Sequence, residues 1–179
     1  MGAGKNMYIT LTGTGSLELE PDYDGTDEVY AVKYLPYTDA DYLGLELAVA
    51  FYSTPVDFIA TIYSVKSGII KWGDIYVDTY SDKLAIHDIN GYEAIKTGIN
   101  VEGTAKQWYL IKLILNMKEN KYHTVQWNDE VIDVSNYIMP STTGLSNTDG
   151  ISIELMAGDY GVGTEEVFVD YVILTVEEG

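Results

Sequence analysis

The sequence predicts an all-β chain folded as an antiparallel two-sheet β-sandwich of the jelly-roll kind. Three observations lead there. Apolar and polar residues alternate with a period of two, and no helical period is sustained. Turn-forming pairs recur at short intervals between the alternating runs. The chain has 179 residues and no cysteine, so a buried core must hold it together without disulfides or a zinc ribbon.

The runs follow one another along the chain. Leu17 and Leu19 alternate with Ser16, Glu18 and Glu20. Leu43, Leu45, Leu47, Val49 and Phe51 share one face, with Gly44, Glu46, Ala48 and Ala50 on the other. Ile151, Ile153 and Leu155 oppose Ser152, Glu154 and Met156. Each reads as a strand with one face on a core. Trp108–Leu115 and Val167–Leu174 are apolar on both faces and are expected to be central strands covered on both sides, or strands near a second sheet or a neighbouring chain. Turn signals stand at Gly13-Thr14-Gly15, Asp24-Gly25, Ser67-Gly68, Asn90-Gly91, Asp149-Gly150 and Gly158–Gly163. Asn90-Gly91, between Leu84–Ile89 and Tyr92–Val101, predicts a hairpin with a type I′ turn. About twelve short strands are expected, as suits a sandwich or jelly roll. No composition break divides the chain, so it reads as one sandwich domain over residues 1–179.

Charge narrows the partners. The chain carries 28 Asp and Glu against 10 basic residues, all of them Lys, for a formal net charge of −18. Such a surface repels nucleic acid and lacks the basic stripe that phosphate binding needs. Anionic membranes are disfavoured too, and no apolar run approaches the roughly 18 residues of a membrane-inserted span. Multivalent cations are favoured. The absence of Arg removes the usual bidentate clamp for anionic ligands. Sixteen Tyr and 17 Gly suit an extracellular protein. No apolar signal segment follows Met1–Lys5, so an exported chain would have lost its signal before this numbering begins.

Catalytic patterns are hard to find. The only histidines, His87 and His123, lie in no recognisable triad or zinc motif. Gly2-Ala3-Gly4-Lys5 lacks the spacing of a phosphate loop. Sandwich-fold glycosidases often carry Glu-x-Asp-x-x-Glu on one strand; Glu20-Pro21-Asp22 begins that pattern, but Gly25 stands where the second Glu belongs. The chain is therefore read as a non-enzyme, with a sandwich-fold glycosidase kept as a remote alternative.

Two kinds of binding residue stand out. Glu18, Glu20, Asp22 and Asp24 recur at every second position, so an extended backbone puts them on one side, and Asp27 follows the turn. Crowded carboxylates favour a cation, and calcium accepts many oxygens in flexible geometry. A solvated acidic edge that discourages aggregation is the alternative. Asp170 lies among Phe168, Val169, Tyr171, Val172 and Leu174, where a buried carboxylate needs a metal, a Lys or backbone N–H partners. Trp72 and Trp127 are candidate sugar platforms, Trp127 because Gln126-Trp127-Asn128-Asp129 reads as a turn; Trp108 reads as core.

Residues from about Trp108 to Val134, and again Val167 to Val176, resemble concanavalin-like or laminin-G-like sandwiches and carbohydrate-binding jelly rolls. The second stretch resembles a closing strand whose Asp often ligates structural calcium, which implies that role for Asp170. The start, Tyr8-Ile9-Thr10-Leu11-Thr12-Gly13-Thr14-Gly15 and then Glu20-Pro21, with the apolar last strand, is similar to cannula subunits of hyperthermophilic archaea. That resemblance implies an extracellular protein that polymerises with calcium, with residues 1–12 set apart as an assembly strand in which Tyr8, Ile9, Thr10, Leu11 and Thr12 add to a neighbour's sheet. The leading expectation is thus a self-assembling structural protein, a homo-oligomer or polymer with calcium at acidic contacts. The alternative is a non-catalytic, lectin-like module that binds a polysaccharide.

Overall fold

The computed structural model describes residues 6–8, 17–21, 28–52, 55–104, 107–144, 148–159 and 166–177. These hold fourteen strands and no helix. In chain order they are β1 (Asn6–Tyr8), β2 (Leu17–Leu19), β3 (Glu28–Pro36), β4 (Tyr42–Tyr52), β5 (Val56–Lys66), β6 (Ile69–Asp78) and β7 (Lys83–Asp88). There follow β8 (Gly91–Thr97), β9 (Tyr109–Asn116), β10 (Lys121–Trp127), β11 (Glu130–Asp133), β12 (Ser141–Thr143), β13 (Gly150–Asp159) and β14 (Glu166–Glu177).

They form two sheets, as expected. One has eight strands in the order β1-β3-β13-β5-β6-β7-β8, with β12 also paired to β6. The other has six, in the order β11-β10-β9-β4-β14-β2. All pairs are antiparallel except β1 with β3.

The alternation seen in the sequence becomes the core. Leu43, Leu45, Leu47, Val49 and Phe51 of β4 point inward with Ile111, Leu113 and Leu115 of β9. Phe58, Ala60 and Ile62 of β5, Ile75 and Val77 of β6, and Ile151, Ile153 and Leu155 of β13 meet them from the larger sheet. Phe51 and Phe58 cross edge to face, their ring centres 6.3 Å apart. Gly73 on β6 is where the sheets touch most closely: a Cβ there would sit 2.5 Å from a Leu115 methyl.

Two irregularities overturn sequence expectations. β10 contains a bulge between Tyr122 and Thr124. An extra residue switches the side-chain phase of a strand. Tyr122 points inward before the bulge, and Val125 and Trp127 point inward after it. Trp127 therefore closes the core, only 4% exposed and stacked on Tyr109 at 5.0 Å, and is no surface platform. Trp108, expected in the core, precedes β9 and is 44% exposed.

β14 has the same kind of bulge between Val169 and Val172. Val167 and Val169 are buried before it, and Val172 and Leu174 pack against the core after it, while Ile173 is exposed. The run that looks apolar on both faces is a one-faced strand with a phase change, not a doubly covered one. Asp170 sits in the bulge and faces solvent, so it needs no buried partner.

The hairpin at Asn90-Gly91 is present as β7 and β8. Its turn is Ile89-Asn90, and the positive φ falls on Gly91 (123°), which gives a different turn from the expected type I′. Ser67 and Gly68 between β5 and β6 do adopt the paired positive φ values (51° and 77°) of a type I′ turn.

Gly73→Ala is expected to lower unfolding free energy by about 1–3 kcal/mol, because the new methyl must displace Leu115 or push the sheets apart. Urea denaturation of the two proteins measures it.

Candidate functional site

The outer face of the eight-stranded sheet carries the chemistry. Alternation on β6 sends Gly73, Ile75 and Val77 inward and Trp72, Asp74 and Tyr76 outward. Register then aligns neighbours on that outer face. One row runs Glu154 (β13), Thr61 (β5), Asp74 (β6). The next holds Ser152, Tyr63 and Trp72, and the row on the other side Tyr30, Met156, Ile59 and Tyr76. His87 and Tyr92 pair on β7 and β8.

The rings form a continuous ribbon across four strands. Tyr63 lies 6.4 Å from Trp72, Trp72 6.3 Å from His87, and His87 stacks on Tyr92 at 4.8 Å and 20°. Tyr92 in turn meets Tyr76 at 5.1 Å. The ribbon borders an open depression of about 450 Å³, with Thr61, Asp74, Glu154 and Tyr30 also in its lining.

The depression exists because β6 changes partners along its length. Ile69–Lys71 pair with β12, and Tyr76–Asp78 pair with β7. Between them other groups complete the edge. The Trp72 N–H donates to Pro140 O at 3.2 Å. The Asp74 N–H donates to the Tyr122 hydroxyl at 3.1 Å, and that hydroxyl donates to His87 O at 2.7 Å. The Asp74 carboxylate accepts the His87 N–H at 2.9 Å. A phenol from the other sheet and a carboxylate thus stand in for the missing ladder. Burial pushes the Tyr122 phenol up, which keeps the proton it donates.

The acids of the face bind protons more tightly than usual. Burial raises Asp74 to about 7, against the lowering effect of its bond from the His87 N–H. Glu154 is raised by half-burial and then by Glu28. Burial and the nearby Glu154 and Asp74 charges push Tyr63 up to about 12. Tyr30 donates to Glu28, and Tyr76 donates to Asp57 at 2.7 Å. No hydrogen bond or ion pair reaches Glu154 among the described residues.

A second, smaller cleft of about 380 Å³ lies beside Lys66, Lys71 and Lys118. Their ammonium groups are already engaged by Asp39 at 2.8 Å, Met117 O at 3.1 Å and Asp41 at 3.4 Å.

The residues singled out in the sequence are scattered. Trp72 is at the centre of the aromatic ribbon; Trp127 is in the core. Glu18 and Glu20 are exposed on and just after β2, and Asp22, Asp24 and Asp27 lie outside the described residues. Glu166, opposite them on β14, is raised first by burial and then by Glu18 and Glu20. Among the described residues no three acidic or histidine side chains are grouped so as to hold a metal ion. Tyr8 lies in β1, paired with Val32 of β3 in the same chain, whereas Ile9, Thr10, Leu11 and Thr12 lie outside the described residues. Of the other residues behind the cannula resemblance, Glu20, Pro21 and the last strand up to Glu177 are described.

Asp74, Glu154, Tyr63 and Tyr92 went unrecognised in the sequence. The alternation Trp72-x-Asp74-x-Tyr76 is the signal that could have found part of the site. Glu154 comes from a strand about eighty residues away that only topology brings alongside.

Asp74 makes stability depend on pH. The folded protein holds this proton up to about 7, while the unfolded chain releases it near 3.8. Stability is therefore lost as pH rises between those values and is flat above them. Asp74→Asn keeps an acceptor for the His87 N–H and removes the charge. It is expected to match the wild type near pH 4 and to exceed it at pH 8 by at most about 4 kcal/mol, checked by urea denaturation at both pH values.

No family model matches this sequence, and the search of curated proteins found no match. Solved structures do. A legume lectin-like domain from Entamoeba histolytica superposes with a TM-score of 0.58 at 12% identity, over 94% of this chain and 86% of that one. The VIP36 exoplasmic/lumenal domain, in its Ca2+/Man3GlcNAc-bound form, gives 0.55 at 12%, over 93% and 81%. A Bacillus licheniformis beta-glucanase gives 0.53 at 11%, over 97% and 87%. A sialidase also matches, with a TM-score of 0.54 at 11% identity, over 90% of this chain, which spans only 15% of its length. At these identities the likeness shows the fold: this chain is a concanavalin-like jelly-roll sandwich.

Proposed function

We propose that this protein is a lectin-like module that binds an oligosaccharide across the outer face of its eight-stranded sheet. The observation that carries the reading is the aromatic ribbon from Tyr63 through Trp72 to Tyr92 beside the acceptor Glu154. Flat rings offer apolar faces to the C–H side of a sugar, and carboxylates accept its hydroxyl protons. An open depression suits a chain of sugars rather than one enclosed ring. Two of the similar structures, a legume lectin-like domain and a lumenal domain in its Ca2+/Man3GlcNAc-bound form, favour the same reading. A lumenal or extracellular setting belongs to this reading.

Strand-addition assembly gains no support among the described residues, since β1 pairs within its own chain. Calcium remains a proposal for the acidic row near Glu18 and Glu20; a drop in thermal stability on adding EDTA would be its sign. Hydrolysis is the second reading. It draws on Glu154 and Asp74, two carboxyls on one row with raised proton affinity. Against it, Asp74 is spent on the His87 N–H.

A glycan array, followed by calorimetry on the best ligand, tests the proposal. Trp72→Ala is expected to weaken binding about tenfold or more, with no release of reducing sugar by the wild type. An array without hits would contradict binding, and turnover of the ligand would replace it with hydrolysis.

A further inference from the structure

We infer that the outer face selects glycans bearing free, protonated amines, such as glucosamine oligomers, over neutral or acidic ones, with Glu154 as the group that reads the charge. This rests on the reading of the face as a sugar site.

The depression is built for a cation. Its lining holds two carboxyls and no lysine. Two more carboxylates, Glu28 and Asp57, accept from Tyr30 and Tyr76 at its border. Glu154 is half-buried and lacks a hydrogen-bonding or charged partner among the described residues. Such a group gains when a cation arrives and loses when an anion does. Tyr63 and Tyr30 line the same depression as Glu154, so an ammonium bound there would have aromatic rings beside it. Acidic sugars meet two carboxyls and no lysine in this lining, and the chain's net charge of −18 draws cationic ligands toward it.

The test is calorimetry at low salt, just below neutral pH, with three oligomers of equal length: glucosamine, N-acetylglucosamine and galacturonate. The glucosamine oligomer is expected to bind about tenfold more tightly than its acetylated counterpart, and galacturonate is expected not to bind. High salt should shrink the preference. Glu154→Gln should reduce glucosamine binding to the level that the acetylated oligomer shows on the same variant, with circular dichroism and urea denaturation showing that the variant is folded. Equal affinity for the two glucosamine forms overturns the inference and leaves the carbohydrate reading standing. A preference that survives Glu154→Gln, or high salt in the wild type, overturns it as well. Binding of none of the three, together with an empty glycan array, overturns both.

Discussion

The Tyr122 hydroxyl bridges β6 and β7 at the stretch where β6 passes from its pairing with β12 to its pairing with β7. β6 is shared between β12 and β7, and the stretch between those partners leaves backbone groups exposed to a half-buried surface. Unpaired groups there would each cost on the order of 1–3 kcal/mol. One phenol accepts from Asp74 N–H and donates to His87 O, and the Asp74 carboxylate takes the His87 N–H. The reach of Tyr122 depends on the bulge in β10, which fixes its inward direction while Trp127 closes the core farther along. A fault in the ladder of one sheet is thus repaired by a side chain from the other.

That repair shapes the functional face. The gap sets His87 beside Trp72 and Tyr92, making the ribbon continuous from β5 to β8. It also consumes Asp74 as a structural acceptor, which leaves Glu154 as the carboxyl available to a ligand. Both acids are costly to ionise in this setting. A hydroxyl-rich or cationic ligand of the kind proposed for this face would offset that cost on binding. A strongly acidic chain with an aromatic depression devoid of lysine is consistent from composition down to the individual residue.

Much of the fold was legible. The alternation of Leu43 to Phe51 and of Ile151 to Leu155 became β4 and β13 with the expected faces inward. What misled was periodicity across a bulge. A bulge inverts phase without leaving a mark in composition. Asp170 therefore read as buried, when it is exposed; Trp127 read as a surface ring because its neighbours signal a turn, yet it closes the core at the end of β10. The site was legible only at Trp72. Its neighbours Tyr63, Glu154 and Tyr92 come from three other strands, and their convergence is a property of strand order. Local pattern carries no information about that order.

The central claim is that the Tyr122 repair and the ligand face are one structure. It is tested most directly by NMR chemical-shift mapping of the best-binding oligosaccharide on the wild type and on Tyr122→Phe. The account predicts shifts at outer-face residues of β5, β6, β7 and β13 in the wild type. It predicts affinity weakened several-fold in the variant, with faster hydrogen exchange at the Asp74 amide. Shifts concentrated at the Lys66–Lys71–Lys118 cleft, or a variant that binds and exchanges like the wild type, would contradict it.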